Sequence, residues 1–105
     1  MQGNIIQVEK WPYSRKPTEP ELHQLMVEEK LAPYRWANQP HDVYAAHVHD
    51  YTKIIYVVSG SITFGFPIEG APTTLMPGDR LELPAGVRHN AAVGPAGVVC
   101  LEARK

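Results

Sequence analysis

From residue 34 onward, the chain consists of short apolar runs that glycine and proline interrupt at even intervals. Runs rich in β-branched and aromatic residues favour strands, and the breaks between them are typical of turns. The runs cover about residues 34–38, 43–49, 53–58, 61–66, 73–76, 80–83, 90–93 and 97–103. Ten prolines fit such turns rather than disorder, because hydrophobic residues still make up 44% of the chain. The pattern predicts an all-β barrel or sandwich.

Ahead of this region, the sequence predicts one strand and one helix. Residues 5–8 are mostly β-branched and favour a short strand. Thr18 and Glu21 have the spacing of a capping box, and leucine and methionine follow at helical spacing. We therefore expect one helix over residues 18–31, ended by Pro33 and packed on the outside of the barrel or against a second subunit.

Three histidines stand in two separate stretches of the strand region. His47 and His49 are two residues apart, so on a regular strand both imidazoles face the same side. His89 follows a stiff corner made by Pro84 and Gly86. Imidazole is a common nitrogen ligand of zinc, iron, copper and nickel, and three imidazoles leave a position open for water or substrate. If the three meet, they form a site for a divalent transition metal.

These two stretches resemble the paired motifs of the cupin superfamily, whose members are small β-barrels of the jelly-roll type. The first motif has two histidines separated by one residue and then a glycine; the second has glycine, proline, glycine and histidine. The matching residues are His47, His49 and Gly60 in the first motif, and Gly78, Pro84, Gly86 and His89 in the second. The resemblance covers about residues 42–102. It implies a single jelly-roll barrel with one metal ion, zinc, iron, nickel, manganese or copper, bound by His47, His49 and His89.

The main departure from the family pattern is Lys53, which stands where the motif has a glutamate; a milder one is Val93, where the family often has asparagine. Counting by twos from His49 puts Tyr51 and Lys53 on the inward face, so an ammonium group would face the metal. At about 5 Å and an effective dielectric constant near 20, the two charges repel by about 6 to 7 kcal/mol. Three arrangements relieve this: burial deprotonates the lysine, a carboxylate such as Glu102 or Glu82 pairs with it, or its side chain turns outward. Strand parity leaves the choice of carboxylate open.

The sequence thus predicts a protein that binds a divalent transition metal and, beside it, a small anionic ligand contacted by Lys53 and Tyr51. Three neutral imidazoles leave the metal its full charge and an ammonium adds to it, so a carboxylate or enolate is the expected ligand. The alternative is a metal-free module that binds or senses a small molecule without catalysis, which the missing glutamate favours. Many cupins are metal-dependent enzymes, but one fold supports many activities, so the sequence leaves catalysis open.

The composition of the chain indicates whether it binds nucleic acid or a membrane and where in the cell it is expected. The net charge is −1 and no run of lysine or arginine occurs, which argues against nucleic acid. The longest apolar run, residues 54–58, is too short for a membrane span, and the first ten residues lack the apolar core of a signal peptide. We therefore expect a cytoplasmic protein that does not bind a membrane. The single Cys100 is expected to be buried as a small hydrophobic residue.

The length of the chain and its predicted elements indicate how many domains it has and whether it forms a dimer. With 105 residues we expect one domain, in which residues 1–33 carry the first strand and the helix and residues 34–105 form the barrel. A small barrel with a protruding strand and helix often covers its open edge with a second copy of itself, so we expect a homodimer.

Overall fold

Seven strands and one helix make up residues 5–105, the part of the chain that the computed structural model describes. In chain order the elements are β1 (Gln7–Glu9), α1 (Glu19–Glu28), β2 (Tyr34–Asn38), β3 (Val43–His47), β4 (Lys53–Phe66), β5 (Gly70–Leu75), β6 (Arg80–Leu83) and β7 (His89–Arg104). The strand order is β1-β6-β4-β7-β2, with β3 also on β7 and β5 also on β4, and every pairing is antiparallel. This is the all-β jelly roll that the sequence predicts, although its barrel is not closed. Residues 1–4, which belong to the predicted N-terminal region and to the stretch judged for a signal peptide, lie outside the described part.

The helix begins as the sequence predicts. Thr18 is the N-cap: its side chain accepts a hydrogen bond from the amide of Glu21, and the Glu21 carboxylate accepts one from the amide of Thr18. This confirms the capping box. The helix ends earlier than expected, at Glu28, because Lys30 takes a φ of 66° that cannot continue a right-handed helix.

Helix α1 packs on the outer face of the sheet. Leu22 and Met26 are fully buried. Their hydrophobic partners are Ile54, Tyr56, Leu101 and Ala103. Burying an apolar side chain of this size contributes about 1.5–3 kcal/mol, so these two residues help to hold the helix against the sheet.

Strands β4 and β7 are each longer than predicted. The sequence predicts a turn at Gly60 and a loop over residues 94–97, and both predictions are wrong, because each segment continues within one long strand. Near Gly60 the pairing of β4 with β7 shifts register twice, between Val57 and Ser59 and between Gly60 and Ile62. Gly60 has a φ of 75°, and a Cβ atom there would overlap the carbonyl oxygen of Gly97. A bulge at this point therefore requires glycine.

This irregularity decides which side chains reach the interior. In the first half of β4 the odd-numbered Ile55 and Val57 belong to the inner core, whereas in the second half the even-numbered Ile62 and Phe64 do. Strand β7 shows the same change of parity. Its inner residues are Ala91 and Val93 before the irregularity, and Val98 and Cys100 after it. Cys100 is fully buried, as predicted.

The other boundaries follow the sequence with small shifts. β2 and β6 lie where predicted, and β5 begins earlier, at Gly70. β3 ends at His47, so His49 lies in the connection to β4 rather than on a strand. Within residues 5–105, helix α1 is too short and too polar to cross a membrane.

Candidate metal centre

The three predicted histidines lie against one another in space. Their ring centroids are 4.4 Å apart for His47 and His89, 4.7 Å for His47 and His49, and 5.1 Å for His49 and His89. His47 and His89 are direct partners in the pairing of β3 with β7. His49 is held beside them through its carbonyl oxygen, which accepts a hydrogen bond of 2.8 Å from the amide of Gly86. One nitrogen from each ring lies within 4.8 Å of the other two, close enough to hold a metal ion.

Hydrogen bonds fix the protons of two of these rings. Nδ1 of His47 lies 2.8 Å from the carbonyl oxygen of Ala45, and Nδ1 of His89 lies 2.9 Å from that of Val87. A carbonyl oxygen only accepts, so each Nδ1 donates, and the lone pair of each neutral ring is on Nε2. Such a bond to a backbone carbonyl is the usual way in which a metal-binding histidine is oriented.

The third ring carries an unsatisfied nitrogen. Nδ1 of His49 is buried and has no hydrogen-bond partner among residues 5–105. A buried polar atom without a partner is rare and costly, and a bound metal ion would supply this nitrogen with one. Three converging imidazoles fit a transition metal: in two of them Nδ1 is hydrogen-bonded to a backbone carbonyl, and in the third Nδ1 has no partner.

The surroundings favour the neutral form of His49 and His89. Burial lowers the pKa of His49 below its ordinary value of 6.5, and the nearby Lys53 ammonium lowers it further. Burial also lowers the pKa of His89, more than the hydrogen bond to Val87 raises it. Both rings therefore have a free lone pair at pH 7, which metal binding requires.

Lys53 pairs with a carboxylate, one of the three arrangements that the sequence left open. Its Nζ lies 3.3 Å from Oε2 of Glu102, and the two side chains are only 14% and 6% exposed. Glu82, the other candidate, shares the outer face with Ile54 and pairs with Lys105 instead.

One cavity connects the histidines with this pair. It has a volume of about 320 Å³. His47 and His89 line it together with Lys53 and Glu102, whereas His49 is not among its lining residues. Its remaining walls are formed mainly by apolar and aromatic side chains: Trp36, Tyr44, Ile55, Ile62, Phe64 and Ala91. A small molecule that fills this cavity would contact the imidazoles of His47 and His89 and also the Lys53–Glu102 ion pair.

The site and the fold agree with the comparison to known families. The cupin domain family matches residues 34–102, which is most of the chain and includes all three histidines. The chain belongs to the cupin domain family. No curated protein matches this cupin in sequence.

Solved structures show the same fold. A DUF861 family protein from Thermotoga maritima is 20% identical with a TM-score of 0.61, and the match covers 93% of this cupin and 97% of that chain. An RmlC-like cupin from Shewanella frigidimarina is 23% identical with a TM-score of 0.60, covering 70% and 64% of the two chains. The polyketide cyclase RemF from Streptomyces resistomycificus is 24% identical with a TM-score of 0.60, covering 70% and 54%. At these identities the likeness concerns the fold alone.

Tyr51 lies apart from the cavity of this cupin. It is not among the lining residues. Its ring lies 5.0 Å from that of His49 and beneath the guanidinium of Arg104, at 3.8 Å. Counting by twos from His49 does not hold here, because residues 48–52 leave strand geometry. A contact of Tyr51 with a ligand therefore stays a prediction.

Sequence reasoning identified Glu102 only as one possible partner of Lys53, and it missed the two residues of β2 that hold this carboxylate. The Tyr34 hydroxyl donates to Oε2 at 2.5 Å, and the indole N–H of Trp36 donates to Oε1 at 3.0 Å. Burial raises the pKa of Tyr34 well above its ordinary value, and the carboxylate raises it further. Two aromatic donors alternating on one predicted strand, Tyr-x-Trp, were the available signal, since they share a face.

Proposed function

We propose that this cupin binds a divalent transition metal through His47, His49 and His89 and holds a small anion beside it that contacts Lys53. The observation that carries the proposal is the convergence of three imidazoles, two of them with Nδ1 fixed on a backbone carbonyl. Nitrogen donors of this kind suit zinc, iron, nickel and copper, and manganese is a further candidate. When bound, such a metal supplies a Lewis acid that polarises an oxygen atom of its ligand.

The charge of the cavity supports an anionic ligand. Lys53 and Glu102 together contribute no net charge, and an imidazole that binds a metal ion does so in its neutral form, so the two positive charges of a metal ion would not be neutralised. The Lys53 ammonium carries three hydrogens, forms an ion pair with Glu102 at 3.3 Å, and lines the cavity with its side chain. A carboxylate or enolate oxygen beside the metal would be attracted by both cations.

The pairing with Glu102 also weakens the main argument against the metal. Repulsion between Lys53 and a divalent ion is offset when a carboxylate lies 3.3 Å from the ammonium, because the carboxylate attracts both. A second candidate function is still favoured by one observation: a lysine stands where the family motif has a glutamate. In that case, the cavity binds or senses a small anion without a metal.

Metal content distinguishes the two candidates. We would measure it by plasma mass spectrometry on untagged wild type, His89→Ala and Lys53→Glu, with His23→Ala as the matched control because His23 is exposed on the helix. We expect close to one metal ion per chain in the wild type and the control, and less than about a tenth of that in His89→Ala, since two imidazoles form an incomplete site. Circular dichroism would establish that the variants fold.

Two outcomes would contradict the proposal. Stoichiometric metal in folded His89→Ala would exclude His89 as a ligand. Metal in Lys53→Glu but not in the wild type would mean that the lysine excludes the ion, and it would support the metal-free alternative.

A further inference from the structure

We infer that strand β2 pairs with β2 of a second copy, antiparallel and centred on Trp36, so that the sheets of the two copies join beside their cavities. This pairing requires neither the metal nor the anion of the proposed function.

Three of the four edge strands in the described part of the chain are protected against pairing with another chain. The strands that pair on one side only are β1, β2, β3 and β5. β1 has only three residues, and very short edge strands are poor templates. The register shifts where β3 pairs with β7 and where β5 pairs with β4, and such irregularities twist an edge away from a partner. β5 also contains Pro72, and the Lys10 ammonium donates to the carbonyl oxygen of Thr74 in the same strand.

Strand β2, which the structure describes in full, has none of these protective features. All five of its residues pair with β7 in an unbroken register. The strand contains neither proline nor lysine. Its one charged side chain, Arg35, is already paired with Glu19 at 3.2 Å. A regular edge strand of this kind offers its free backbone donors and acceptors to a further strand.

The strand is complementary to itself in one register. Residues directly opposite in an antiparallel pair point to the same side, so a twofold axis must pass beside one residue and its own copy. Centring on Trp36 pairs all five residues and places Arg35 opposite Ala37 of the partner subunit. Centring on Arg35 would oppose two guanidinium groups, which is destabilising, and centring on Ala37 would use only three residues of the strand.

A second copy in this register would join the two sites. The sheet path of each copy has five strands and ends at β2, so the dimer would have one continuous sheet of ten strands. Tyr34 and Trp36 line the cavity and donate hydrogen bonds to Glu102. Their neighbours across the twofold axis would be the equivalent strand residues of the partner subunit. The wall that holds Glu102 would therefore be part of the interface.

Disulfide trapping tests the register. We would prepare Arg35→Cys and Ala37→Cys separately; both positions are exposed, and the native Cys100 is fully buried. Directly opposite residues of antiparallel strands have Cα atoms about 4.5–5.5 Å apart, within the range of a disulfide. The two variants would be mixed under reducing conditions, oxidised in a glutathione buffer, and separated by non-reducing electrophoresis. We expect at least about tenfold more linked dimer in the mixture than in either variant alone, because each cysteine faces the other position.

Val43→Cys is the matched control, since Val43 is 75% exposed on the irregular edge strand β3. Mixed with Arg35→Cys or Ala37→Cys, it should give no more linked dimer than a single variant does. Circular dichroism would establish that all three variants fold.

Three outcomes would overturn the inference. Linkage in Arg35→Cys alone or Ala37→Cys alone, as strong as in the mixture, would place the axis at another residue. Equal linkage with Val43→Cys would mean random collision. No linkage in any mixture would mean that β2 is covered by a different chain or stays uncovered. None of these results bears on metal content or on the binding of a small carboxylate such as benzoate, which test the proposed function.

Discussion

Lys53 stands at the position of the glutamate in the family motif and pairs with Glu102. The motif places a carboxylate on β4, whereas this cupin has an ammonium there and draws its carboxylate from β7. The exchange adds one positive charge to the cavity without leaving a buried charge unpaired. Removing one partner of a buried pair costs about 3–5 kcal/mol, so the two residues are expected to depend on each other. The net effect is a cavity better suited to anions than the motif with glutamate alone.

The variant Lys53→Met tests the role of the ammonium. Methionine keeps much of the apolar stem and removes the charge, while Glu102 keeps its two aromatic donors. We expect benzoate affinity to fall about tenfold, equivalent to 1.4 kcal/mol, and zinc content to stay near one ion per chain. Calorimetry and plasma mass spectrometry measure the two quantities.

Lys105→Met is the control for that variant, since Lys105 pairs with Glu82 on the exterior and its loss should change neither quantity. Unchanged benzoate binding in Lys53→Met would show that the lysine does not contact the anion. Loss of zinc would show that the lysine supports the metal centre rather than the ligand.

The sequence predicts which way a side chain faces only where the strand is regular. Parity is reliable within an unbroken strand, and Lys53 therefore faces the interior as expected. The alternation of side chains does not extend to Tyr51, because the chain between β3 and β4 is not a strand. The sequence could not choose between Glu102 and Glu82, since the register shifts between β4 and β7 decide which positions of β7 face inward.

At the scale of elements, the irregularities in β4 and β7 assemble the site. His89 and Glu102 lie on one strand, one at an odd and one at an even position, so in a regular strand they would face opposite sides of the sheet. The change of parity along β7 brings both into the same cavity. The glycines there were predicted to form turns because glycine is frequent in turns; glycine with positive φ also occurs at β-bulges, and only the pairing partners distinguish the two. Strand β7 thus supplies both a histidine and a carboxylate to the cavity.

Replacing Gly60 by alanine should destabilise the protein strongly. A Cβ atom there would overlap the backbone oxygen of Gly97, and a φ of 75° is strained for alanine. We expect the free energy of unfolding in urea to fall by about 2 kcal/mol or more. Gly70→Ala is the matched control: nothing lies within 4 Å of its added Cβ atom, so its effect should stay within about 0.5 kcal/mol. Equal stability of the two variants would contradict a strained bulge at Gly60.

At the scale of the whole molecule, the open side of the jelly roll lies next to the cavity. The sheet path ends at β1 and β2, and within residues 5–105 β2 pairs only with β7. β2 carries Tyr34 and Trp36, which hold Glu102, so this edge strand is also a wall of the cavity. A strand with one unpaired edge presents free backbone donors and acceptors, and natural proteins usually cover such an edge.

We therefore expect this cupin to form a homodimer in which a second copy covers β2. Tyr34, at the start of that strand, is 50% exposed in the single chain and would be among the residues shielded. Size-exclusion chromatography with light scattering should give twice the chain mass of 11.7 kDa, which is 23.4 kDa. Because dimers dissociate on dilution, the mass should be measured from about 1 to 100 µM. A mass of 11.7 kDa over that whole range would show that β2 stays uncovered and that one chain forms the complete site.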